Sequence, residues 1–156
     1  MKILSTYLFV AAMGLSALSS CKKDSTSPAP SKTELLTAKS WKVTGDVTVE
    51  TTNGKTTTTD NFATASACEK DNFVKFSGDK KAVFDEGANK CQGANQTETG
   101  IWDFNSDQTK LTLGAPGTSM VGQFDVVELS ATTLKLSQSD TYNGTTEVET
   151  VTFTAF

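Results

Sequence analysis

The chain has 156 residues, enough for one domain with a real core and too few for two. Its fourteen basic residues are all lysine, against eighteen acidic ones, for a net charge of -4. The guanidinium fork that reads phosphate or guanine is therefore missing, no basic stripe replaces it, and nucleic-acid binding is excluded. Histidine is absent as well, which removes the commonest general base and the usual partner of a serine or cysteine nucleophile. With no Gly-x-Ser-x-Gly elbow and no phosphate-binding glycine loop, the expectation is a protein that is not an enzyme and carries no cofactor or metal.

In chain order, Lys2 supplies a positive start, residues 3–17 an apolar run, and Leu18-Ser19-Ser20-Cys21 a small-residue cleavage site. The apolar run is too short for a spanning helix. Leu-Ser-Ser-Cys resembles a bacterial lipobox, so residues 1–20 are expected to be a lipoprotein signal peptide and Cys21 the lipidation site, with acyl chains such as palmitate. Several acyl chains anchor a protein far more firmly than one. Residues 21–30 are charged, then rich in Ser and Pro, which describes a lipid-anchored flexible tether. Residues 31–156 are left for the folded domain.

Ser31 and Glu34 form a capping box ahead of Leu35 and Leu36, predicting one short helix over residues 32–39 that covers an end of the fold. From Trp41 onward the apolar pattern has period two, at Trp41-Lys42-Val43, Val47-Thr48-Val49, Ile101-Trp102-Asp103-Phe104, Leu111-Thr112-Leu113, Phe124-Asp125-Val126, Leu134-Lys135-Leu136 and Val151-Thr152-Phe153. Turn residues separate these runs, among them Asn105-Ser106-Asp107 and Asn143-Gly144. Residues 50–67 depart from the pattern. They are rich in Thr, Asn and Ser with only Phe62 large and apolar, and read as a long loop or an exposed hairpin. Such a segment is a lid or partner-contacting loop, or a tolerated insertion. The whole predicts an all-β, eight-stranded antiparallel up-and-down meander barrel with a short N-terminal helix, closure removing the sticky edges. A two-sheet sandwich is the alternative.

Between Cys68 and Cys91 lie two β-prone runs, Phe73-Val74-Lys75-Phe76 and Ala82-Val83-Phe84, around the turn Ser77-Gly78-Asp79-Lys80. A turn centred between Asp79 and Lys80 sets Phe76 opposite Val83 and, in the same register, Cys68 opposite Cys91. The expected disulfide suits an exported, oxidising setting and contributes about 3 kcal/mol by chain entropy. Free or metal-binding thiols are the alternative, although two thiols without histidine make a poor zinc site. The same register gathers Glu69, Asp71, Asp85 and Glu86, which read as a weak calcium site or as solvated charges at a strand end. Asp103-Phe104-Asn105-Ser106-Asp107 imitates the start of a calcium loop but has Gln108 where glycine is needed, so a β-turn is expected. Trp41, Phe76, Phe84, Trp102, Phe104 and Phe124 sit at alternating positions, as do Phe73 and Phe153. The first six are the candidate barrel lining for an apolar ligand; the alternative is that they simply fill the interior.

Several stretches together, Leu35-Leu36-Thr37-Ala38-Lys39-Ser40-Trp41, Ala67-Cys68-Glu69-Lys70-Asp71, Phe84-Asp85-Glu86-Gly87 with Cys91, Thr99-Gly100-Ile101-Trp102-Asp103-Phe104 and the LSATTLKL run at residues 129–136, resemble the lipocalin-like domain of Bacteroidota lipoproteins. The order and spacing of these motifs carry the resemblance over nearly all of the chain after the tether. Ala38 departs from the glycine often found near the tryptophan, and Phe156 follows the last strand without the C-terminal helix of true lipocalins. The resemblance implies a small calycin-type β-barrel, lipid-anchored at the outer membrane and facing the periplasm or the cell surface. A monomer binding a small amphipathic or hydrophobic ligand is then expected. The alternative is an interaction or inhibitor module with a solid barrel, whose exposed loops engage an envelope protein or a glycan.

Overall fold

The computed structural model describes residues 28–114 and 121–156. The signal segment, Cys21 and most of the tether lie outside the described residues. Helix α1, Lys32–Thr37, opens on the expected capping box: the Ser31 hydroxyl accepts from the Glu34 amide, and the Glu34 carboxylate accepts from the Ser31 amide at 2.7 Å. It ends two residues earlier than the pattern suggested, because the chain must be extended from Ser40 to enter the sheet.

Nine strands follow: β1 Ser40–Thr52, β2 Lys55–Asp60, β3 Phe73–Phe76, β4 Lys81–Asp85, β5 Thr97–Phe104, β6 Lys110–Gly114, β7 Val121–Leu129, β8 Thr133–Tyr142 and β9 Thr145–Ala155. Each of β3 to β8 pairs antiparallel with the next, and β1 pairs with both β3 and β9, which closes an eight-stranded barrel. The ninth strand, β2, lies outside that circuit on the far half of β1. Strand β1 therefore has three neighbours. Residues 40–42 pair with β3, residues 47–52 with β2, and nearly its whole length with β9, across a bulge at Thr44.

Beyond the barrel wall, β2, β1, β9 and β8 continue as a four-stranded extension. The threonine-rich segment is thus a hairpin ending in a short helix, α2, Asn61–Thr64. Its turn, Asn53-Gly54, has both residues left-handed, at φ 51° and 74°, and Asn143-Gly144 between β8 and β9 repeats that geometry at 51° and 78°. Both are two-residue hairpins of the kind whose twist matches the strands they join. All six residues of β2 are exposed.

The β3–β4 register differs from expectation. Phe76 stands opposite Ala82, not Val83, and the ladder ends at Phe73 opposite Asp85. The cause is a three-residue turn in which Lys80 takes a left-handed φ of 66° and the Ser77 amide donates to the Lys81 carbonyl. The Cys68–Cys91 disulfide is present, with Cα atoms 5.1 Å apart. It joins the loop before β3 to the loop after β4 instead of crossing the ladder.

The core occupies one end of the barrel. Leu36 of α1 plugs that end, and the Trp41 indole N–H donates to the Leu36 carbonyl at 2.8 Å, fastening the plug to the first strand. Trp41, Phe76, Trp102, Leu111 and Leu134 are fully buried around it. Lysines on the outer face pair with carboxylates on neighbouring strands, Lys110 with Asp125 and Lys135 with Glu128. Such exposed pairs contribute little to stability, ~0–1 kcal/mol each.

Candidate ligand site at the barrel mouth

Residues of one parity line the inside of each strand, and all six sequence-predicted lining residues have that parity. Depth along the barrel separates them. Trp41 and Trp102 are 0% and 1% exposed and belong to the packed end. The Trp102 indole donates to the Ser77 carbonyl at 3.0 Å and meets Phe76 and Phe104 edge-on, with ring centroids 5.9 and 5.6 Å away. Phe104 and Phe124 pack against the same core. Only Phe84, 36% exposed, faces the opposite, open end.

At that end lies a cavity of about 400 Å³. Val43, Phe73, Val74, Phe84, Ala94 and Phe153 supply its apolar surface, and Asn72, Glu86, Asn95 and Glu98 are among its polar lining. This volume falls in the range of small-molecule pockets, ~300–1,000 Å³. Val43 also borders a neighbouring groove of about 470 Å³ between β1, β9 and α2, lined by Asp46, Phe62, Glu69 and Val151 among others. The Asn61 side chain anchors α2 beside that groove by donating to Asp46 and Thr48.

The loop over the cavity, residues 86–96, is held by the carboxylates that sequence had gathered. Asp71 Oδ2 accepts from the Ala88 and Asn89 amides at 2.9 and 2.8 Å. Asp85 Oδ1 accepts from the Gly87 amide and the Gln96 side chain, both at 2.9 Å, and Glu86 accepts from the Cys91 amide. Gly87 has φ 69°, and a Cβ there would come within 2.6 Å of the Asp71 carbonyl oxygen, so this crossing needs glycine. Glu69 instead takes the Ser66 hydroxyl and amide, and those bonds hold its carboxyl below the usual range. These acids are occupied as loop fasteners. Among the described residues no group of three or more carboxylate or thiol ligands is arranged for a metal ion. Asp103–Asp107 leads into a turn, with Gln108 left-handed at φ 55° and its amide donating to the Asn105 carbonyl.

The outward face of the sheet carries both signs of charge, Lys42, Lys75, Lys81, Lys110 and Lys135 with Asp85, Asp103, Asp125 and Glu128. Asp46, Glu50, Glu98, Asp140, Glu147 and Glu149 have the parity of the barrel interior, joined on β2 by Lys55. On the extension, Glu50, Glu147 and Asp140 stand directly opposite one another on three adjacent strands. Burial, then the charges of Asp46 and Glu147, raise the Glu149 carboxyl above its ordinary value. Sequence reasoning missed Glu98 and Val43. Both were within reach by counting along the strand: Glu98 is four residues before Trp102, on the same face.

No family model matches the chain, and no curated protein matches it either.

Proposed function

We propose that this protein is a non-catalytic binding module, lipid-anchored through Cys21 at the outer membrane, whose barrel takes a small amphipathic molecule at its mouth. The half-filled barrel carries this reading. One end is packed by Trp41, Phe76 and Trp102 beneath the α1 plug, while at the other Phe84 and Phe153 border an open cavity of about 400 Å³. An apolar surface with a few polar groups at its edge is the composition of a small-molecule site. The disulfide and the hydrogen-bonded carboxylates fasten the loop above it, so that little order need be gained on binding.

Native mass spectrometry of the protein taken from its own membranes tests the reading. A stoichiometric small molecule that leaves on unfolding is expected. A bare polypeptide that also fails to take up short-chain amphiphiles would overturn it.

A further inference from the structure

Resting on the mouth-cavity reading, we propose that the ligand is a cation: an amphiphile whose apolar body lies against Val43, Val74, Phe84 and Phe153 and whose ammonium group meets Glu98. The placement of Glu98 is the leading observation. It has the inward parity of β5, directly opposite Phe84 on β4, and is exposed at the rim of the cavity. A charged group at the edge of an apolar cavity is the kind of placed polar group that orients a ligand.

Among the described residues no ion pair includes it, and its one side-chain partner is the Asn95 amide at 3.4 Å. Each lysine on the barrel strands points outward. Lys90, in the loop above, donates to the carbonyl of the cavity-lining Ala94 at 2.8 Å and sets one positive charge beside the cavity. Glu86 adds a second acid to the same cavity. The neighbouring groove and the inner face of the extension add Asp46, Glu69, Glu147 and Glu149, so the field at the mouth is negative from several sides. Phe84 lets a cation rest on an aromatic face beside the carboxylate. An anionic amphiphile such as a fatty acid would meet the same apolar wall against that field.

The test uses the full chain in detergent-free buffer at low ionic strength, with three ligands of one tail length below their micelle concentrations: decyltrimethylammonium, decyl maltoside and decanoate. Calorimetry should show the cation binding at least tenfold more tightly than the neutral compound, about 1.4 kcal/mol, with decanoate weakest. Glu98→Gln should cut the cation's affinity about tenfold and remove most of its advantage over the neutral ligand. Equal binding of all three, or a cation preference that survives Glu98→Gln, overturns this inference while the cavity reading stands. If none of the three saturates the protein, the cavity reading fails and this inference with it.

Discussion

Trp102 and Phe84 share an inward parity and an aromatic ring, yet they have different work. Trp102 is enclosed by Phe76, Phe104 and the Ser77 carbonyl, so Trp102→Ala should cost ~3–5 kcal/mol and act as a folding defect. Phe84→Ala removes a ring that is already one-third exposed. It should lower the chemical-denaturation midpoint only slightly while weakening uptake of the decyl ligands. If the two variants lose equal stability, the mouth is as well packed as the closed end and the cavity reading suffers. Period-two patterning could reveal that both rings face inward. It could not show how deep each one sits, because depth is set by what fills each end. The α1 plug fills one end through Leu36 and its bond to Trp41, a contact between two segments that no alternation encodes.

At the scale of elements, the four-stranded extension stores like-charge repulsion. Glu149 is partly buried and faces Asp46 and Glu147, which puts its folded value above the ordinary 4.5. The folded chain then holds that proton more tightly than the unfolded chain does. Its contribution to stability therefore falls as pH rises from 4.5 through the folded value, and is least favourable at neutral pH. Glu149→Gln should raise the melting temperature at pH 7 and leave it level with the parent near pH 4. A parent-minus-variant difference that does not change with pH would refute this account. The opposite limb belongs to acids held low, such as Asp79, which the Lys81 ammonium and the Ser77 hydroxyl bring down to about 2. That contribution is lost as pH falls from the ordinary 3.8 through about 2. The extension was half legible. Asn143-Gly144 marked one of its hairpins, but the same dipeptide at 53–54 was flanked by threonines without large apolar residues, and nothing chose between loop and strand. The β2 strand is ordered by its ladder to β1 and has no core contact of its own.

For the whole molecule, the disulfide divides the barrel into a mouth that is stapled and a base that is packed. Replacing both Cys68 and Cys91 with serine removes a link across 23 residues and should cost about 3 kcal/mol on a loop-entropy estimate. The loss should concentrate at residues 66–72 and 86–96 in hydrogen exchange, while Leu111 and Leu134 keep their protection. Uniform loss of protection would mean that base and mouth unfold as one unit. The pairing of these cysteines was readable from their spacing even though the assumed register was one residue off. A bridge between two loops tolerates such a slip, whereas a ladder does not, since one residue turns every side chain to the other face.

Strand β1 is the first strand of the barrel and its long partner β9 the last, with Trp41 set against Ala155. Closure of the barrel therefore waits for the final strand. A polypeptide emerging from N- to C-terminus can form the β3–β8 meander by local hairpins, but its first strand has only β2 and a short stretch of β3 to hold. The most distant pairing is the one that completes the ring, and its loop-closure entropy falls on the last step. Folding should thus be slow and post-translational. Until β9 is in place the ring stays open, with the long β9-facing edges of β1 and β8 unpaired.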